Sequence, residues 1–148
     1  MTNEHQTTSK QTRLERGKRA LADIDGQAGQ NVIDALADIA PDFATYLFEF
    51  PFGDIYSRPG LSLRDRELAT IAALGAMGTA TPQLKVHIEA GLNVGLSKEE
   101  ITEILMQLAV YAGFPAALLS LMQCLCPARH LGHFHLAICN QKQKFCLK

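Results

Sequence analysis

Apolar and small residues recur at helical spacing through the central stretch Leu63–Ala117. Its first part, Leu68–Met77, is apolar or small at nearly every position, which is typical of a helix that is buried on all sides. A turn at Gly78 leads to Thr81-Pro82, where a capping residue precedes a proline suited to the first helical position. One face of this second helix carries Leu84, His87, Ile88, Gly91 and Leu92. The pattern therefore predicts two consecutive helices joined by a short turn.

A third helix is predicted after Ser97 and Glu100, which have the spacing of a capping box. Its core stripe consists of Ile101, Ile104, Leu105, Leu108, Ala109 and Ala112. Met106 and Val110 lie off this stripe and are also apolar, so this helix has a second face to bury. In a protein of this size, such a face favours contact with another subunit, and we expect a homo-oligomer. Pro115 begins a last helix.

The N-terminal half is predicted to contain three shorter helices. A charged helix covers Arg13–Ile24, and a second one, Val32–Ile39, stops before a proline. Asp42 is the predicted cap of the third helix, which Pro51 interrupts or ends. Aromatic residues alternate in the same region, a pattern that a short strand also shows: Phe48, Phe50 and Phe52. Because no other segment offers a partner strand, helix and turn is the better prediction, and the expected fold class is all-α.

Composition and charge narrow the class of protein. The chain has 148 residues, 47% of them hydrophobic and 20% charged, which fits a single globular domain. Its net charge of -1 predicts neither nucleic-acid nor membrane binding, and the apolar runs fall short of a membrane span. Residues 1–11 are polar and expected to be disordered, without the apolar core of a signal peptide. We therefore expect a cytoplasmic protein.

The C-terminal tail, residues 124–148, differs in composition from the rest of the chain. It contains all four cysteines and three of the five histidines, but none of the fifteen acidic residues. The spacing of these cysteines and histidines matches no structural zinc template, so no metal site is predicted there. A divergent helical tail with reduced thiols is the preferred interpretation.

Two polar residues interrupt the apolar pattern of the central stretch. Glu67 leads into the buried helix, and His87 lies on the apolar face of the next. Glu67 can be a first-turn acid favoured by the helix dipole, and His87 can be a core histidine with a hydrogen-bond partner. Alternatively, both belong to a functional site, because groups buried in this way often have perturbed pKa values. Two antiparallel helices joined by a short turn would bring these two positions together, since packed helix axes lie about 8–10 Å apart.

Several segments of the chain resemble the carboxymuconolactone decarboxylase family, to which alkylhydroperoxidase D also belongs. The matching segments read YSRPGLS, RDREL, LKVH, AGLNVG, EEI and AVYAGFPAA. The likeness covers roughly residues 28–122 and is strongest to the gamma-carboxymuconolactone decarboxylase branch. It implies an alkylhydroperoxidase D-like helical bundle that assembles into homotrimers or homohexamers. The tail breaks the family pattern at Cys126-Pro127.

The resemblance also implies that the protein takes part in the catabolism of aromatic compounds. It implies a cofactor-independent carboxy-lyase acting on 4-carboxymuconolactone or a related small acidic lactone. By the same resemblance, His87 is the acid/base candidate and Glu67 its partner, Arg58 and Arg64 bind the substrate anion, and Tyr111 lines the pocket. Solvated arginines at a helix start and a packed interface tyrosine are the structural alternatives for the last three residues.

Two other functions are consistent with this resemblance. The redox branch of the family needs a Cys-x-x-Cys pair one turn before the histidine, where a low thiolate pKa drives disulfide exchange. Residues 79–83 read TATPQ and contain no cysteine, which disfavours an alkylhydroperoxidase. A non-catalytic oligomeric scaffold remains as the third hypothesis, because of the altered tail.

Overall fold

The computed structural model describes residues 11–124, and every regular element in this part of the chain is helical. The elements are α1 (Arg13–Ile24), α2 (Gly26–Leu36), α3 (Pro41–Leu47), a π-helix (Phe48–Tyr56), α4 (Leu63–Met77), α5 (Thr81–Asn93), α6 (Lys98–Tyr111) and α7 (Phe114–Cys124). The predicted all-α fold class is confirmed. The expectations for a disordered start and for the metal-free tail fall almost entirely outside the described residues.

Side-chain caps begin the two helices for which the sequence predicts them most clearly. Ser62 Oγ accepts a hydrogen bond from the backbone N–H of Asp65 at 3.1 Å, which starts α4. Ser97 and Glu100 form a complete capping box at the start of α6, with reciprocal bonds of 3.1 and 2.9 Å. The predicted cap of α5 is wrong, because Thr81 is already helical and its side chain makes no capping bond.

The N-terminal half departs from the sequence prediction in two places. The second helix, predicted over Val32–Ile39, spans Gly26–Leu36 instead. Asp42 is not the cap of α3, because the helix begins at Pro41 and places Asp42 in its first turn. Pro51 interrupts the α-helix, which is one of the two predicted outcomes: α3 ends at Leu47, and the chain continues through Pro51 as a π-helix to Tyr56. In an α-helix the proline ring would clash with the carbonyl four residues earlier, and the wider winding of a π-helix accommodates it.

The core has two parts, which α5 connects. Helices α4 to α7 enclose the larger cluster, built on Ile71, Leu84, Ile88, Leu96, Ile101, Leu105, Leu108 and Ala117. A close approach between α4 and α6 depends on Gly75, because a Cβ there would lie 2.5 Å from Leu108 Cδ1. The smaller cluster joins α1, the π-helix and α5 through Leu21, Ile24, Phe48, Phe52 and Ala90. The end of α1 is thereby held against α5.

An apolar face on α6 and α7 remains exposed in the single protomer. Val110 and Tyr111 are 75% and 83% exposed, and Phe114 at the start of α7 is 71% exposed. We call this surface, which also includes Met106 and Leu118, the α6–α7 face. It contains the second apolar side of α6 that the sequence predicts. None of the described helices is long and apolar enough to cross a membrane.

Candidate active site

His87 and Glu67 meet between α4 and α5. His87 Nδ1 lies 2.9 Å from Glu67 Oε2, within hydrogen-bond distance, although the residues are 20 positions apart in the chain. The left-handed backbone of Gly78, with φ of 67°, ends α4 and lets the chain reverse into α5. The Glu67 side chain is fully buried, whereas that of His87 is 20% exposed. His87 therefore connects a buried carboxyl group with the surface of the protomer.

A third ionisable residue, Asp25, joins this pair from the junction between α1 and α2. Asp25, Glu67 and His87 each offer one nitrogen or oxygen atom, and these atoms all lie within 4.8 Å of one another. The sequence analysis did not identify Asp25, because an aspartate followed by glycine between two helices has the pattern of a turn or cap. In the structure the side chain of Asp25 makes no capping hydrogen bond to α2.

Close packing around the α1–α2 junction holds Asp25 in place. Gly26 takes a left-handed φ of 54°, which turns the chain sharply between the two helices. Asn93 at the end of α5 donates from Nδ2 to the carbonyl oxygen of Ile24 at 3.2 Å. A Cβ on Gly29 would lie only 2.5 Å from Asp25 Cβ. The absence of a side chain at position 29 thus makes room for Asp25.

The pKa values of Asp25 and His87 are both raised in this site. Burial raises the pKa of Asp25 to about 6, against the effect of His87, and the charges of Glu67 and Glu89 add to the rise. Burial alone would lower the pKa of His87, but the hydrogen bond and charge of Glu67, together with Asp25, raise it. Protons are therefore held in this site at higher pH than on isolated carboxyl groups. Two acids and one imidazole are also a donor set that can hold a divalent cation.

Tyr56 of the π-helix is also a neighbour of Glu67, because the charge of Glu67 affects the pKa of its phenol. Its hydroxyl is 2.7 Å from Thr70 Oγ1, in the second turn of α4. Burial above all raises the pKa of Tyr56, and the neighbouring charge of Glu67 contributes. Tyr56 therefore keeps its proton at neutral pH. The sequence analysis used Tyr56 only as part of a family motif and assigned it no role.

Comparison with known proteins identifies the relatives of this chain. The model of the carboxymuconolactone decarboxylase family matches residues 41–125. The 4-carboxymuconolactone decarboxylase of Acinetobacter baylyi is 34% identical over 106 residues, which cover 71% of this chain and 78% of that protein. The chain belongs to the carboxymuconolactone decarboxylase family. This confirms the family expected from the sequence.

Two further relatives match a smaller part of this family member. An uncharacterised 15.0 kDa protein of Paracoccus denitrificans is 34% identical over 55% of this chain and 62% of its own length. Nitrosuccinic acid decarboxylase npaB of Metarhizium robertsii is 31% identical over 47% of this chain and 48% of its own length. Two of the three relatives are thus decarboxylases, which supports the assignment of this family member as a carboxy-lyase.

The remaining candidate residues make no hydrogen bond or ion pair with the His87–Glu67 pair in the described part of the protomer. Arg64 forms an ion pair with Glu100 at the start of α6. Arg58 is exposed, and its backbone carbonyl accepts a hydrogen bond from Arg66 at 3.0 Å. Tyr111 belongs to the exposed α6–α7 face. Within residues 11–124, none of these three side chains forms a hydrogen bond or ion pair with His87 or Glu67, so their substrate-binding roles stay predictions.

An open groove of about 370 Å³ runs between α2 and α5. Its lining consists of Ala28, Asn31, Val32, Ala35, Leu36 and Val86. Asn31 is the one amide side chain among these mostly apolar residues. Val86 directly precedes His87 in α5, so the groove lies on a flank of the same helix that carries the histidine.

Proposed function

We propose that this family member catalyses the cofactor-independent decarboxylation of 4-carboxymuconolactone or a related small acidic lactone. His87 is the proton donor and acceptor, and Glu67 fixes its tautomer and orientation. The observation that carries the proposal is the 2.9 Å contact between His87 Nδ1 and Glu67 Oε2. Because Nδ1 faces Glu67, Nε2 is the nitrogen available to a substrate. Imidazole suits proton transfer near neutral pH.

The reaction requires loss of CO₂ and gain of one proton. The bond from the substrate carbon to its carboxylate breaks, and the electron pair passes into the unsaturated system that ends at the lactone carbonyl. Nε2 of the His87 imidazolium then delivers its proton to the same carbon, leaving a neutral imidazole. The raised pKa of His87 supports this role, because it favours the protonated ring that donates the proton.

The substrate is an anion, so the site needs a binding group of opposite charge. We propose Arg58 and Arg64 for this role, because guanidinium groups bind carboxylates in a bidentate fashion. Arg64 would exchange its ion pair with Glu100 for the substrate carboxylate. Tyr111 is proposed to line the pocket in the assembled protein. The decarboxylase from Metarhizium robertsii that acts on nitrosuccinic acid supports a small acidic substrate.

Measurement of CO₂ release from 4-carboxymuconolactone by the purified protein tests this function. We expect enzyme-dependent CO₂ release that needs no added cofactor and is carried out by wild type but not by His87→Ala. Equal rates with wild type, with His87→Ala and without protein would contradict the proposal for this substrate. Nitrosuccinic acid serves as the second substrate in the same assay.

The alkylhydroperoxidase alternative is tested by replacing all four cysteines with serine. No thiol lies among residues 79–83, in front of His87, so the cysteine-free variant is expected to release CO₂ at the wild-type rate. Helical content and assembly state are checked on the same sample. If turnover disappears while both are intact, the chemistry depends on a thiol and our assignment is wrong.

We further propose that the protein is a homotrimer or homohexamer, assembled through the α6–α7 face. Solvent-exposed apolar surface of this extent is typical of an interface between protein molecules. Light scattering is expected to report a multiple of the 16.2 kDa protomer mass at micromolar concentration. Val110→Glu should dissociate the assembly, because Val110 is exposed in the protomer and its replacement leaves the protomer core intact. Gln83→Glu on α5, also exposed, is the control for the added charge. A wild-type monomer would reject the proposal.

A further inference from the structure

Asp25 is a buried acid with no structural task among the described residues. It stands between α1 and α2, where an aspartate usually caps the second helix, but its side chain makes no capping bond. Only 4% of the residue is exposed, and Oδ1 has no hydrogen-bond partner within residues 11–124. Burying an unpaired carboxyl group opposes folding. Its position beside Glu67 and His87 allows Asp25 to act on these two neighbours.

Glu67 on α4 likewise has a buried carboxyl oxygen without a hydrogen-bond partner among the described residues. Its Oε2 is bonded to His87, but Oε1 is buried and has no partner in the described part of the chain. The atoms that Asp25, Glu67 and His87 offer one another lie within 4.8 Å, a distance that one water molecule can bridge. The three groups therefore form one cluster, and a proton can pass between them.

The proposed decarboxylation makes a specific demand on this cluster. Each turnover moves one proton from His87 to the product carbon, and CO₂ carries none away. His87 must therefore regain a proton before the next substrate reacts. Glu67 is fully buried and the side chain of His87 is 20% exposed, so water reaches the pair through the ring of His87. A second group that holds an exchangeable proton next to the pair can return the proton while substrate or product covers the exposed part of the ring.

We propose that Asp25 is the proton reservoir of the His87–Glu67 pair. In its acid form it returns a proton to the neutral His87 after each turnover, directly or through one water. Once the product has left, the Asp25 carboxylate that results regains a proton from solvent through the partly exposed His87, which restores the starting state and balances the proton consumed. This proposal rests on the proposed function and extends it to a residue on a third structural element.

The groups that face Asp25 agree with this role. Glu67 on α4 and Glu89 on α5 carry like charge, while His87 on α5 carries the opposite charge when protonated. The charge of Asp25 in turn reaches Tyr56 on the π-helix. Burial and the two acids raise the pKa of Asp25 to about 6, close enough to neutrality for exchange with an imidazole. An aspartate with an ordinary pKa would be a much poorer proton donor at this pH.

Titration of His87 by NMR tests the proposal without any substrate. The His87 imidazole signal is assigned by its loss in His87→Gln, and its pKa is measured in wild type, Asp25→Asn and Asp23→Asn. We expect Asp25→Asn to lower the pKa of His87 by about 1 pH unit, because it removes a neighbouring negative charge. Asp23→Asn removes the same charge from an exposed position of α1 and should leave that pKa unchanged. Equal His87 titrations in wild type and Asp25→Asn would overturn the proposal.

Steady-state CO₂ release then separates a reservoir from a merely structural residue. Asp25→Asn is expected to lower kcat about 10- to 100-fold with KM within twofold of wild type, since proton return is slowed and substrate binding is not. An unchanged kcat, or a divalent cation bound stoichiometrically by wild type and lost in Asp25→Asn, would overturn the reservoir role. If wild type releases no CO₂ while the His87 titration depends on Asp25, the proposed substrate fails and the proton exchange between the residues stands.

Discussion

Replacement of His87 by glutamine is expected to lower the rate of CO₂ release by roughly 100- to 10,000-fold, the range typical of the loss of a general acid–base group. Glutamine retains a polar side chain of similar length that can still hydrogen-bond to Glu67, so the fold should persist. What it lacks is a proton that it can deliver at neutral pH. The measurement is kcat for CO₂ release, with circular dichroism and light scattering as checks on fold and assembly.

Two further variants make this result specific to the pair. Glu67→Gln should reduce kcat less than His87→Gln does, because it weakens the orientation and basicity of the imidazole without removing the proton donor. Lys85→Gln introduces the same residue at an exposed position of α5 and is expected to behave as wild type. Activity of His87→Gln within threefold of wild type would assign the proton donor to another residue.

Asp25→Asn is expected to stabilise the protein at pH 7 but not at pH 4. The pKa of Asp25 rises from an ordinary 3.8 in the unfolded chain to about 6 in the folded protein. A raised pKa means that the folded state binds the proton more tightly, so its contribution is fully present below pH 3.8 and is lost as the pH rises through 6. Integrated over this range, the loss is about 3 kcal/mol. Asparagine has the same shape, does not titrate and escapes this loss.

Urea denaturation at several pH values between 4 and 7 measures this effect. The free energy of unfolding of Asp25→Asn, minus that of wild type, should increase by up to about 3 kcal/mol from pH 4 to pH 7. Taking the difference removes the titration of groups that do not interact with Asp25, because both proteins share it. Asp23→Asn should show a difference that is constant with pH. A constant difference for Asp25→Asn as well would mean that the pKa of Asp25 is not raised in the folded protein.

Features with a short-range cause could be predicted from the sequence. The capping box of Ser97 and Glu100 spans three residues and depends only on local hydrogen bonds, and it starts α6 as expected. The contact between Glu67 and His87 follows almost as directly, because two helices and one tight turn separate the residues. Local helix geometry is sufficient to bring their positions together. The family, too, could be recognised from short motifs within residues 28–122.

Asp25 became a candidate only through the tertiary structure. In sequence it resembles a helix cap, and it is separated from Glu67 by α2, α3 and the π-helix. The smaller core cluster folds α1 back against α5, and the hydrogen bond from Asn93 fixes the junction beside His87. Such packing depends on contacts between segments that are distant in sequence, and helical periodicity does not reveal these contacts.

The same distinction explains the other differences. Local propensity predicts that Pro51 interrupts or ends a helix, and it is the packing of the π-helix on α1 that lets the chain continue in helical form. Arg64 has the charge of an anion-binding residue in sequence, yet in the folded protomer it pairs with Glu100, 36 residues away. The sequence by itself determined the all-α class, the caps of α4 and α6, and the residue pair that a single hairpin joins. Tertiary structure decided which charges are buried together, because burial and charge pairing depend on the whole packed chain.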